Sequence, residues 1–238
     1  MTEILAIIPA RGGSKGLPKK NIRMINGHPL ISYSIQAALE SKSITRTICS
    51  TDSNNIRNIA QKYGAEVPFL RPKELAQDDT SDLDTFFGLL SDLKDKENYQ
   101  PEIIVQLRPT SPIRLEGQID AAIDILTNDP KVDSVRSVTP AKATPYKMWK
   151  IEDEILCPLL ESSNLKEPYN MPRQKLPQVW WQTGTIDITR AVNIFSGTMS
   201  GKVIKPFAID ADYAVDIDQI ESLYEAERII KSIKCIKP

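Results

Sequence analysis

Residues 3–21 read EILAIIPARGGSKGLPKKN. Residues 4–8 form a short, almost wholly apolar run, which suits a strand buried on both faces of a parallel sheet. Pro9 stops it. Gly12, Gly13 and Gly16 follow, interleaved with Arg11, Ser14, Lys15, Lys19 and Lys20. Glycines allow positive φ and let a ligand approach backbone N–H groups closely. Cationic and hydroxyl side chains around such a turn make a trap for a polyphosphate. The spacing excludes two common phosphate loops. A dinucleotide fingerprint needs G-x-G-x-x-G, and a Walker loop needs Lys then Ser or Thr after its last glycine, where Leu17 and Pro18 stand here. A solvated Gly/Lys surface turn is the plainer alternative for this stretch taken alone.

Outward from the turn, strands and helices alternate. Helical periodicity marks residues 29–39, 55–63, 81–93 and 115–126, and β-prone runs fall at 45–50, 66–70, 103–107 and 132–138. This alternation implies parallel β-α-β units, whose ligands sit outside the carboxyl ends of the strands. The Arg11 turn, the Ser50–Asp52 cluster and the Arg108 loop all follow strands, so all three are expected to face one cleft. Residues 139–177 break the pattern. Six prolines punctuate short apolar pieces such as 148–151 and 154–160, too long a stretch for a plain connection and best read as a β-hairpin arm. Strands at 184–188 and 202–207 then resume the parallel pattern, before a last helix that starts at Ile217 or Asp218.

Asp216 and Asp218 flank Ile217. In extended backbone that spacing places both carboxylates on one face and turns the isoleucine toward the core. Two converging carboxylates suit Mg²⁺, which shares its remaining positions with phosphate and water. Alternatively Asp218 caps the last helix and Asp216 is a solvated surface acid.

Composition bounds the rest. The chain has 238 residues, 41% hydrophobic and 26% charged, with a formal net charge of -1, which advertises no polyanion-binding surface and argues against nucleic acid. Three cysteines far apart argue against a disulfide framework or a cysteine zinc site. No apolar run approaches a membrane span, so a cytoplasmic protein without membrane contact is expected. His28, the single histidine, lies between Gly27 and Pro29 and reads as structural.

ARGGSKGLPKKN at residues 10–21 resembles the N-terminal signature of the CMP-sialic acid synthetases (acylneuraminate cytidylyltransferases), including the CMP-legionaminate enzymes. STDS at 50–53, RPKELAQDDT at 71–80, LRPTSPIR at 107–114, PRQKLP at 172–177 and VDID at 215–218 match the same family in order and spacing. The resemblance implies an α/β fold: a mainly parallel, Rossmann-like nucleotidyltransferase sheet flanked by helices. Residues 1–138 and 178–238 would form it, with 139–177 an inserted β-rich arm that makes a homodimer and lends residues to the partner's site. The implied reaction joins CTP to a 2-keto-3-deoxy nonulosonic acid, with Mg²⁺ as cofactor and pyrophosphate released. By the same resemblance Arg11, Gly12, Gly13, Ser14 and Lys20 bind the nucleotide's phosphates, and Asn21 and Arg71 place its ribose and cytosine. Asp216 and Asp218 hold the metal and, with Arg11 and Lys20, form the catalytic set. Arg108, Arg173 and Gln174 meet the sugar acid. Arg71 can also be read as a surface residue ahead of Pro72.

The sequence departs from sialic-acid enzymes where the sugar binds. Arg108 stands at a position commonly glutamine, and TGTIDI at 183–188 replaces NGAIYI. Trp180 and Trp181 replace a segment that often carries arginine, and read as arm packing or as a sugar-stacking wall. An octulosonate cytidylyltransferase and a non-catalytic nucleotide-sugar-binding protein are the competing expectations.

Overall fold

The computed structural model describes residues 2–160 and 164–238. Strand β1 (Ile4–Pro9) leads through the glycine turn into a short antiparallel pair, β2 (Met24–Ile25) and β3 (His28–Pro29), and then helix α1 (Leu30–Glu40). The alternation continues as β4 (Arg46–Ser50), α2 (Asn54–Lys62), α3 (Asp82–Glu97), β5 (Ile103–Gln106), α4 (Gln118–Thr127) and β6 (Ser134–Pro140). An excursion carries the hairpin β7 (Trp149–Glu152) and β8 (Ile155–Pro158). The chain returns as β9 (Trp180–Arg190), α5 (Ala191–Phe195), β10 (Ile204–Ala208) and α6 (Ile220–Ser232). Among the described residues no helix is long and apolar enough to cross a membrane.

Six strands form one sheet in the order β10-β6-β9-β5-β1-β4. The mixed α/β architecture with a mainly parallel sheet is the one expected. β1 lies inside the sheet, between β5 and the edge strand β4, and its residues are apolar toward both faces. Ile4, Ala6 and Ile8 pack with α1, α2 and α4, while Leu5 and Ile7 pack with Phe86, Leu90 and Leu93 of α3 and Ile194 of α5. A third apolar cluster matters most for the site. Leu17 from the glycine turn, Ile113 from the loop after β5, Val215 and Ile217 all pack with Leu223, Ala226 and Ile230 of α6. Segments some 200 residues apart in sequence are thereby drawn to one end of the sheet by ordinary burial of apolar surface.

Three expectations are corrected. β9 does not resume the parallel pattern; it runs antiparallel to both β5 and β6. No helical crossover separates it from β6, so the chain re-enters the sheet at the end where it left and must run back. Residues 66–70 do not form a strand. Glu66 makes a single parallel bridge to Ile48, and Pro68 cannot donate to a ladder. The last helix begins at Ile220, with Gln219 as its N-cap and Ser222 completing a capping box. Ile217 stays outside it because its N–H donates to the Thr110 carbonyl at 2.8 Å.

The excursion between β6 and β9 leaves and returns through one ladder: Thr139 pairs with Trp181, Pro140 with Trp180, and the Ala141 N–H donates to the Val179 carbonyl. At the hairpin tip Asp153 and Glu154 both take positive φ, 49° and 66°, as a two-residue turn matched to strand twist requires. Ile151 is 76% exposed and Ile155 64%, an unusual display for β-branched apolar residues.

Candidate active site

The carboxyl ends of β1, β4 and β5 lie side by side, and the loops leaving β1 and β5, with the segment after α2, wall a cleft of about 740 Å³. The Ser50–Asp52 cluster, expected to face it, does not line it and braces Arg71 and Gly12 from behind. Arg11, Ser14, Lys15, Gly16, Lys20 and Asn21 line one side; Arg71, Asp78, Asp82 and Arg108 line the other, with Asp218 at the end. The glycine turn and the acidic pair therefore meet. Lys20 Nζ lies 2.9 Å from Asp218 Oδ1, and a Cβ added at Gly16 would come within 3.1 Å of the Asp218 carbonyl oxygen.

The turn is held from behind by its own chain. Gly12 N–H donates to Asp52 Oδ1 at 2.8 Å, and the Asn21 amide donates to the Arg11 carbonyl at 3.0 Å. Gly12 and Asn21, expected to bind nucleotide, thus spend these donors on fixing the turn's shape. Asp52 was legible only as part of a capping cluster; the N-cap of α2 is Ser53, which frees Asp52 for the turn. Arg11 pairs with Asp78 at 2.6 Å, and Lys15 also pairs with Asp78. These two cations hold the Asp78 carboxyl below the usual carboxylate range, the Lys15 contact first.

Arg71 is no loose surface residue. Its backbone N–H donates to the Thr51 carbonyl, its Nε to Ser50 Oγ at 3.1 Å, and its Nη2 to the Ser50 carbonyl at 2.6 Å. Burial lowers its pKa, and Asp52 opposes the shift. A guanidinium so fastened at the end of β4 is a fixed wall of the cleft.

Arg108 enters the same cleft. Its Nη2 donates to Asp82 Oδ2 at 2.7 Å, and Gln106 Nε2 donates to the same oxygen at 3.1 Å. Opposite lies Gly184, at φ +70°, where β9 bulges against β6. A Cβ there would meet Arg108 Cδ and Nε at 3.1 Å, so the glycine gives the arginine its path. The Arg108 backbone is anchored by a residue that sequence reading passed over. Arg114 is fully buried and donates to the carbonyls of Thr185 and Arg108 and to Ser34 Oγ. Burial pushes its pKa down to about 9, with Asp187 opposing. An arginine closing a proline-studded loop was visible in LRPTSPIR, but nothing local said that it points inward.

Asp216 and Asp218 are exposed and Ile217 is buried, the alternation expected of an extended segment. Crowding by protein, then the like charge of Asp218, raises the Asp216 pKa; a hydrogen bond from Thr110 and the charges of Lys20 and Arg108 oppose. A second cleft of about 700 Å³ opens on the other side of the pair, lined by Lys142, Trp181, Tyr213, Ser222 and Arg228 as well as both aspartates. Asp218 thus stands on the ridge between the two clefts, and Asp216 faces the second. Among the described residues no group of three or more His, Cys, Asp or Glu is arranged to hold a metal. Two hard carboxylates beside a cationic turn fit a Mg²⁺ that takes its remaining oxygens from phosphate and water, and would not fit a metal needing a full protein cage.

Arg173 and Gln174 are not brought to these clefts. They sit exposed on the excursion, where Arg173 Nη2 donates to the Ala141 carbonyl at 2.8 Å. Trp180 and Trp181 begin β9 at 53% and 45% exposure, and Trp181 alone of the two lines the second cleft.

Against this geometry, the profile of the Cytidylyltransferase family matches residues 5–150. The chain is 42% identical over 151 residues to the CMP-N,N'-diacetyllegionaminic acid synthase of Legionella pneumophila, an alignment covering 63% of this chain and 64% of that protein. It is 34% identical over 242 residues to the protein of the same name from Campylobacter jejuni, covering 100% and 99%. A solved CMP:2-keto-3-deoxy-manno-octonic acid synthetase complexed with CTP superposes with a TM-score of 0.71 at 15% identity, over 97% of this chain and 99% of that one. At that identity the likeness is one of fold.

Proposed function

The chain belongs to the cytidylyltransferase family, and on that premise we propose that it joins CTP to a nonulosonic acid of the legionaminic or sialic type. The anomeric hydroxyl oxygen attacks the α-phosphorus, the α–β phosphoanhydride bond breaks, and the products are a CMP-sugar and pyrophosphate. One observation carries the reading: the cationic glycine turn and one of the two acids meet at the end of one cleft, Lys20 Nζ lying 2.9 Å from Asp218 Oδ1.

In this reaction charge develops on the α-phosphate and the leaving pyrophosphate, and catalysis consists largely of meeting that charge with groups already in place. Arg11 and Lys20, with Ser14 and the backbone around Gly13, would bind the phosphates. Arg71, fastened to Ser50, would border the nucleoside. Asp216 and Asp218 would hold Mg²⁺, which when bound supplies further positive charge at the phosphates. Arg108, oriented by Asp82 and Gly184, is suited to grip a sugar carboxylate through two parallel hydrogen bonds. The residues offer no clear general base for the hydroxyl proton.

Arg173 and Gln174 fit this scheme on the arm of a second copy. The exposed Ile151, Ile155 and Leu156 support a homodimer in which each arm reaches the partner's cleft. A cytoplasmic location accords with three unpaired cysteines.

The test is incubation with CTP and a panel of 2-keto-3-deoxy acids, with CMP-sugar read by mass spectrometry and pyrophosphate release followed in parallel. Product with nonulosonic acids is expected. Product with an octulosonate alone would transfer the enzyme to the competing class, and tight nucleotide binding without turnover on any acid would make it a binding protein.

A further inference from the structure

Four cations of the first cleft, all but Arg71, are matched by carboxylates from the same chain. Lys20 is paired with Asp218 and Arg108 with Asp82. Arg11 and Lys15 share one carboxylate, Asp78. That residue sits in RPKELAQDDT, in a turn built for the purpose. After the single 3-10 turn Lys73–Ala76, Gln77 N–H donates to Thr80 Oγ1, and Thr80 Oγ1 donates to the Glu74 carbonyl. The turn projects Asp78 across the cleft to the glycine segment, while its neighbour Asp79 is exposed and forms no ion pair among the described residues.

A phosphate chain lying along the glycine turn needs the same guanidinium and ammonium groups that Asp78 holds. Carboxylate and phosphate cannot both occupy them, because two anions on one pair of cations repel. The Asp78 contacts are half exposed, and such ion pairs are individually weak, so a multiply charged phosphate displaces the carboxylate readily. On departure of the anion, the same carboxylate stands ready to take the cations back. We infer that Asp78 is an exchange partner for Arg11 and Lys15: it keeps the two cations poised over the phosphate site, loosens the grip on phosphate, and hastens release of pyrophosphate. This rests on the reading of the glycine turn as the triphosphate site. Asp78 acts through Arg11 and Lys15, so its role is positioning.

The experiment compares the wild-type chain with Asp78→Asn, Asp78→Glu and, as a control of equal charge change, Asp79→Asn. Inorganic pyrophosphate and CTP are titrated calorimetrically, and KM for CTP and for the sugar acid are measured separately. In Asp78→Asn, pyrophosphate and CTP bind about fivefold more tightly, in line with removal of two competing exposed pairs. KM for the sugar acid stays put, and the Glu variant and the Asp79 control remain near wild type. Binding that is unchanged or weaker in Asp78→Asn, or equally tightened in Asp79→Asn, overturns the exchange role while leaving the phosphate site intact. A wild-type chain that binds neither pyrophosphate nor CTP overturns the site assignment, and this inference with it.

Discussion

The cleft end of the sheet and the excursion between β6 and β9 are made by the same chain under opposite rules. At the cleft, charged groups are partnered within the chain: Arg71 with Ser50, Arg108 with Asp82, Arg114 with three acceptors, Gly12 with Asp52. On the excursion, Ile151, Ile155 and Leu156 stand in solvent, and the side chain of Arg173 donates to the Ala141 carbonyl of its own segment. The first region is finished by intrachain contacts and the second is left open, and the proposed function assigns chemistry to the one and association to the other. Substitutions in the first should therefore damage reaction or stability of the single chain, and those in the second should damage assembly.

The sharpest break is at the acids. Asp216→Ala should lower CMP-sugar formation by about a thousandfold while thermal unfolding is unaffected, since the residue is exposed. An undiminished rate removes the metal assignment. Next is Arg114→Met, which removes three buried hydrogen bonds, leaves the Thr185 carbonyl without the Arg114 donor, and should cost about 3 kcal/mol in chemical denaturation. Because the Arg108 carbonyl loses one of its donors and keeps Ser34 Oγ and the Ser111 N–H, KM for the sugar acid should rise more than KM for CTP. A variant of wild-type stability would mean that the cleft end is less tightly specified than its contacts imply.

On the other side, Ile151→Lys combined with Ile155→Lys should turn the proposed dimer into a monomer in sedimentation, with the unfolding free energy of the single chain within about 0.5 kcal/mol of wild type. A large loss of single-chain stability would show that the excursion belongs to the core. The smallest effect lies outside both regions and gives a baseline. Asp133 accepts the Lys202 and Val203 N–H groups, and these bonds, Val203 first, lower its pKa. Its folded pKa lies below its unfolded one, so its stabilisation is full above the unfolded value and is lost as pH falls through the folded one. The stability gap between wild type and Asp133→Asn should thus be constant near neutrality and close in acid.

Much of this was written locally in the sequence. The run at residues 4–8 announced a doubly buried strand, and the period of residues 29–39 announced α1, which spans Leu30–Glu40. The alternation around Ile217 announced two acids on one face. What stayed hidden depended on distant partners. That β9 runs backward follows from where the chain re-enters the sheet, which no run of residues 184–188 can declare. Arg114 and Asp78 look like ordinary surface charges until folding brings Thr185 to one and Arg11 to the other. Gly184 is a glycine for the sake of Arg108, 76 positions earlier.

The single ladder through which the excursion leaves and returns has an evolutionary and practical corollary. Because Thr139 faces Trp181 and Pro140 faces Trp180, the two stumps are locked side by side, and the register of the sheet takes no notice of what is strung between them. Such a graft point tolerates lengthening, shortening or wholesale exchange, since closing a longer loop adds little entropy cost. Transplanting the segment from a relative should alter the proposed association of copies while the six-stranded sheet and the cleft at its end stay as they are.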